Sequence, residues 1–300
     1  MEMNIDELNE KFGVEGEVGF MELDGELPFI TITNKYAEAD ICLYGAQITS
    51  FRPMRTTDVL WMSPYSVFEK GKAIRGGIPV CFPWFGPHAN DSAMPQHGFA
   101  RTSMWEVTEV DTLEKGETYV SMQLKSSDET KAYWPYDFIA ELIFVVGDSL
   151  SLTLKVSNPS DSAISYTSAL HTYFNLSAIE NIKIAGLANT HYENQLDGNR
   201  YVQEEELLEI SEATTRHYFD TEADCIIHDP YFKRDIRIAK DGSKCSTVWN
   251  PGAEACEQMS DMPNDGYETF VCLETVNKIN DQIDLAPGES HETTAVISVE

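Results

Sequence analysis

Two side chains able to move protons stand where apolar residues would be expected. His171 follows Ala169-Leu170 and precedes Thr172-Tyr173-Phe174, and Glu274 lies inside the run Phe270–Thr275. A carboxylate in such a strand is costly to bury unless it is paired. One reading makes His171 a hydrogen-bonded core histidine and Glu274 half of a structural ion pair. The other makes them a general acid and a general base.

The irregular stretch from Arg75 to Arg101, RGGIPVCFPWFGPHANDSAMPQHGFAR, could bring further groups to them. Its prolines lack a backbone donor and its glycines carry an entropic cost, so it can form neither a long helix nor a long strand. Arg75, Gln96, His97 and Arg101 alternate there with Phe82, Trp84, Phe85 and Phe99, which tie the loop to a core. Two arginines converging on one anion would give charge-assisted contacts. Between Gly71 and Arg101 the chain carries Lys72, Arg75 and Arg101 against Asp91 alone, a positive island in an acidic protein. Trp84, Phe85, Phe174 and Trp249 offer flat faces to a ring-shaped ligand, with core packing the plainer alternative. His97, His171 and Glu274 have the ligand types of a zinc or iron site. No H-x-H or H-E-x-x-H spacing supports that grouping, and no metal or cofactor is expected. A G-x-S-x-G elbow, a P-loop and a dinucleotide fingerprint are absent from the sequence.

Strands must position these residues. The 300-residue chain has one helical candidate, about residues 5–12, with Ile5, Leu8 and Phe12 at helical spacing. Roughly a dozen short β-branched and aromatic runs follow, separated by turn residues such as Gly147-Asp148 and Asp241-Gly242. One run is read as Tyr201–Ile210. The pattern predicts an all-β fold, a large antiparallel β-sandwich, as a single domain over residues 1–300. The formal net charge of -29, from 50 acidic and 21 basic residues, argues against nucleic acid and anionic membrane as partners. Six scattered cysteines without a C-x-x-C pair read as reduced thiols. With no apolar leader or spanning run, a cytoplasmic monomer is the expectation.

The tracts IRGGIPVCFPWFG (Ile74–Gly86), QHGFAR (Gln96–Arg101), HTYFNL (His171–Leu176), VWNP (Val248–Pro251) and CLET (Cys272–Thr275), in this order, carry a resemblance. The chain resembles the hexose-6-phosphate mutarotases, or glucose-6-phosphate 1-epimerases, of the galactose-mutarotase-like superfamily. The likeness runs from about Phe29 to Val299. It implies a β-supersandwich, cofactor-free catalysis and a small-molecule sugar phosphate as substrate. By that similarity His171 is the general acid and Glu274 the general base. Arg75, Gln96 and Arg101 match substrate-contacting positions, with the arginines favouring the phosphate, and His97 matches a second histidine of the sugar site. One position departs: Thr215 stands where the family's Asp-Arg-x-Tyr tract has its aspartate, and Asp220 or Asp224 are candidates to replace it. A non-catalytic sugar-phosphate sensor and a free-hexose mutarotase are the rival expectations.

Overall fold

Strands with strict alternation build one half of the molecule. Ile139–Val146 and Ser149–Ser157 bury every second residue, as the two-residue period of a strand demands, and the Gly147-Asp148 turn joins them as an antiparallel hairpin. The computed structural model describes residues 4–300 of the chain. Its hairpin belongs to an eight-stranded antiparallel sheet ordered Lys183–Ala185, Cys225–Asp229, Arg234–Asp241, Ser290–Val299, Ser149–Ser157, Ile139–Val146, Thr118–Lys125, Glu106–Thr112. We call this the outer sheet.

A second sheet of eight strands runs Asn199–Val202, His191–Asn194, Thr214–Tyr218, Cys245–Asn250, Phe270–Asn277, Ser168–Leu170, Val80–Cys81, with Tyr173–Asn175 also paired to Phe270–Asn277. We call this the site sheet. Val248, Val271 and Leu273 from it meet Phe144, Leu152 and Ile297 of the outer sheet in one apolar core. This is the large antiparallel β-sandwich the strand pattern predicts. A four-stranded meander, Val18–Glu22 to Gln47–Pro53, adds its own apolar face to that core.

The helix Ile5–Phe12 forms as its spacing predicts. Asn4 and Glu7 make reciprocal capping bonds of 3.0 Å at its start, and Leu8 and Phe12 are buried. Two short helices, Asp128–Tyr133 and Gly252–Cys256, were not expected. The strands are also shorter and more numerous than the dozen read from the sequence, 22 among the described residues. The run read as Tyr201–Ile210 ends at Val202, because three consecutive glutamates (Glu204, Glu205 and Glu206) face water instead of pairing. The Pro/Gly stretch is irregular apart from Val80–Cys81 and a 3-10 turn, Ala100–Thr102, at its end.

Candidate active site

The central strand of the site sheet, Phe270–Asn277, is buried at every position. Alternate residues point to opposite faces, so Val271 and Leu273 enter the core while Phe270, Cys272, Glu274 and Val276 face the other way. On that second face Phe270 and Cys272 join Trp61 and Tyr173 in one apolar cluster, and Val276 joins Phe85 and Phe219 in another. Glu274 sits between the two clusters. Only 2% of its surface is exposed.

The Pro/Gly stretch covers this face. Gly76 has φ 118°, and a β-carbon there would lie 2.5 Å from the Trp61 carbonyl oxygen. At Gly98, φ 72°, a β-carbon would lie 2.1 Å from the Phe82 carbonyl oxygen. Only glycine allows both approaches, and they set Arg75 and His97 at fixed points above the sheet. The backbone N–H of His171 donates to the Pro79 carbonyl at 3.0 Å, tying the histidine to the same stretch.

All six residues singled out from the sequence line one cavity of about 570 Å³: Arg75, Gln96, His97, Arg101, His171 and Glu274. His171 Nε2 lies 3.5 Å from Glu274 Oε1. The His171 ring stacks on Tyr173 at 5.0 Å and meets His97 edge-on at 5.5 Å. Burial raises the Glu274 carboxyl well above its usual range, against the opposing pull of Lys278 and Arg101. Burial, with Arg101 and Arg75 adding repulsion, lowers His171 to about 3. The 3.5 Å spacing would suit an imidazolium–carboxylate pair, yet desolvation drives each partner toward neutrality. Both distributions hold one proton between two groups. His171 Nδ1 and Glu274 Oε2 find no hydrogen-bond partner among the described residues.

His97 accepts a 3.2 Å bond from the Gly86 backbone N–H at Nδ1. A neutral ring then carries its proton on Nε2. Neutrality follows from burial, reinforced by Arg101, His171, Lys278 and Arg75, all of which lower its pKa. Arg101 Nη2 donates to the Gln96 carbonyl at 2.9 Å. Arg75 is more heavily engaged: Nε and Nη2 contact Asp261 Oδ2 at 3.1 and 3.0 Å, and Nη1 donates to the Tyr173 hydroxyl at 3.0 Å.

Several expectations need correction. Phe85 and Trp249 line the cavity, but Trp84 and Phe174 do not and pack in the main core. Their face could not be read from aromatic content alone. Lys72 pairs with Glu69 at 2.9 Å on the surface, and Lys278 is the lysine that reaches the cavity, its Nζ 5.1 Å from the Phe85 ring centroid. Asp224 pairs with Arg237 and Asp220 lies near Asn280, so neither stands in for an aspartate at Thr215, which itself lines the cavity. The tightest cluster of metal-ligand types contains Cys272 rather than His97: donor atoms of His171, Cys272 and Glu274 lie within 4.8 Å of one another. Gln195, His217 and Thr247 also line the cavity and were missed.

The aldose 1-epimerase family profile matches residues 28–298. The chain belongs to the aldose 1-epimerase family. It is 36% identical over 251 residues to a Salmonella typhimurium protein named "Putative glucose-6-phosphate 1-epimerase", covering 84% of this chain and 83% of that one. An Escherichia coli K12 protein of the same name is 36% identical over 250 residues, 83% of each chain. The crystal structure of a "putative mutarotase" from Salmonella typhimurium superposes with a TM-score of 0.89 at 32% identity, over 96% of this chain and 95% of that one. As an aldose 1-epimerase family member, the chain carries a buried His171–Glu274 pair on the face of the site sheet turned away from the core. No helix among the described residues is long and apolar enough to cross a membrane. The six cysteines are all buried and none forms a disulfide among the described residues.

Proposed function

We propose that this protein interconverts the α and β anomers of a hexose 6-phosphate, glucose 6-phosphate first, by acid/base opening and closing of the ring. The observation that carries the reading is a buried His171–Glu274 pair, 3.5 Å apart, in a cavity that also holds Arg75 and Arg101. The same reading makes residues 1–300 one domain, in keeping with an unbroken family match from 28 to 298.

Opening a cyclic hemiacetal removes a proton from the anomeric hydroxyl and delivers one to the ring oxygen. From the imidazolium–carboxylate distribution of their shared proton, Glu274 takes the first and His171 gives the second, which leaves the pair in its neutral distribution. The C1–O5 bond breaks, a free aldehyde forms, and rotation about C1–C2 presents its other face. Closure runs the two transfers backward. A pair holding one proton between two groups can serve both directions, and each positioned group contributes on the order of 10²–10⁴-fold. His97, with its proton on Nε2, donates to a sugar oxygen. Arg101 is the main phosphate ligand because its guanidinium has no carboxylate partner among the described residues, and Arg75, already paired with Asp261, is the second.

Saturation-transfer NMR on glucose 6-phosphate and on free glucose tests this directly. Anomer exchange should quicken strongly for the phosphate ester and weakly for the free sugar. Equal acceleration of both sugars, or of neither, would refute the proposal.

A further inference from the structure

One wall of the cavity is built by a hairpin tip. Gln195 and Leu196 leave the strand His191–Asn194, and the Gln195 N–H donates to the Thr215 carbonyl at 2.9 Å. Thr214–Tyr218 is two strands from Phe270–Asn277, and the His171 side lies one strand beyond that. Three spacings make a floor about 14 Å wide, enough for a hexose phosphate lying across it.

Behind Gln195 stands His217, 4% exposed and bonded at both ring nitrogens. Nδ1 lies 2.8 Å from Thr247 Oγ1, and Nε2 lies 3.1 Å from Gln195 Oε1. Burial, with Lys278 adding repulsion, lowers His217 to about 3, so the ring is neutral. A neutral imidazole has one donor and one acceptor. The Gln195 oxygen can only accept, so Nε2 donates to it and Nδ1 accepts from the Thr247 hydroxyl. That chain fixes the amide and leaves its NH₂ group without a protein acceptor among the described residues.

Pyranose geometry says which part of the sugar lies there. The ring oxygen meets His171, and C6 with its phosphate is attached beside that oxygen, near Arg75 and Arg101. The ring atom opposite the oxygen is C3, so the C2–C3 edge points toward the hairpin.

We infer that Gln195, oriented by His217 and Thr247, is the residue that reads the hydroxyls on the C2–C3 edge of the substrate. This rests on the proposed reaction for the placement of the ring. Gln195 is a binding residue here, and His217 is a positioning residue that acts through it. The amide supplies donors at the end of the cavity where Thr215 brings no carboxylate.

The test has two arms. In the first, anomer exchange is measured for glucose 6-phosphate and its 2-deoxy and 3-deoxy analogues. The wild type should disfavour at least one analogue. Gln195→Ala should lower kcat/KM for glucose 6-phosphate about 3–10-fold, the value of one hydrogen bond, mainly through KM, and erase the preference against that analogue. His217→Phe should reproduce the loss, and adding Gln195→Ala to it should do little more. A histidine that only supported the fold would lower Tm and leave the sugar preference intact. In the second arm, calorimetry follows binding of 1,5-anhydroglucitol 6-phosphate, which lacks the anomeric hydroxyl and cannot turn over. Gln195→Ala should weaken it by the same factor. An active wild type whose sugar preference survives Gln195→Ala overturns the inference and leaves the reaction standing. An inactive wild type whose binding is weakened by Gln195→Ala does the reverse. Wild-type protein that binds no anhydroglucitol phosphate contradicts both.

Discussion

The two eight-stranded sheets share a core and differ in what lies on their other faces. In the outer sheet, Ile139–Val146 and Ser149–Ser157 send alternate residues to the surface, so their second face is the more exposed one. In the site sheet, Phe270–Asn277 has the core beneath it and the Pro/Gly stretch above. Its second face is therefore dry without being wholly apolar, and Glu274, Thr247 and His217 lie side by side across three adjacent strands. The outer sheet supplies stability. The site sheet spends some of it to hold ionisable groups away from water, where their proton affinities shift toward one another.

Substitutions on the two sheets should therefore fail differently. Glu274→Gln or His171→Ala should cut anomer exchange by on the order of 10²–10⁴-fold while the fold persists. Leu152→Ala, in the outer sheet's core face, should cost about 2–5 kcal/mol of stability and leave turnover per folded molecule unchanged. Rate assays paired with denaturant titrations separate the two. If Leu152→Ala damaged turnover as Glu274→Gln does, the division between sheets would be wrong.

Within the cavity, Arg101→Met should weaken glucose 6-phosphate far more than glucose. A charge-assisted bond of about 1.5–3 kcal/mol corresponds to roughly 10–150-fold in kcat/KM. A smaller effect than that of Arg75→Met would move the phosphate toward Asp261 and reverse the ranking of the two arginines.

The site sheet should also respond to acid. His217 has a pKa depressed to about 3 by burial, so the unfolded chain binds a proton that the folded chain refuses. The stability of neutral burial is complete above the unfolded value near 6.5 and is lost as pH falls toward about 3. His217 contributes a slope of up to about 1.4 kcal/mol per pH unit in that window, whereas the His171–Glu274 pair holds one proton both folded and unfolded there and adds little. Chemical denaturation at pH 6.5, 5.5 and 4.5 reads it, and His217→Phe should flatten the dependence. An unchanged slope in that variant would mean that His217 does not resist protonation.

The smallest effect concerns Lys278. It opposes the burial that raises Glu274, so Lys278→Met should raise that carboxyl further. The pair then keeps its proton to higher pH, and the alkaline limb of kcat/KM should move upward by a fraction of a unit. Movement downward would mean that Lys278 does not act on Glu274 through its charge.

The outer sheet was the easier half to read, because alternation with water on one face leaves a period in the sequence. Glu274 and His171 could be found because a charged or titratable group interrupts an apolar run, and the Pro/Gly stretch because its composition permits little regular structure. Trp84 and Phe174 took the plainer alternative of core packing, Phe174 by strand parity and Trp84 from the irregular stretch, and residue type alone could not separate them from Phe85 and Trp249. Gln195 left no trace: it is a polar residue on a hairpin tip, the least informative setting in the chain. Lys278 lies just past a strand end, where a lysine ordinarily means only solvent. Both enter the site through tertiary contacts that no local pattern encodes.

Anomer exchange of glucose 6-phosphate measured for His171→Ala, Glu274→Gln and the double variant tests the proton-sharing pair most directly. Two groups that hand one proton back and forth act as a unit, so each single variant should lose nearly everything and the double should lose little more. Near-normal exchange in either single variant would contradict the account.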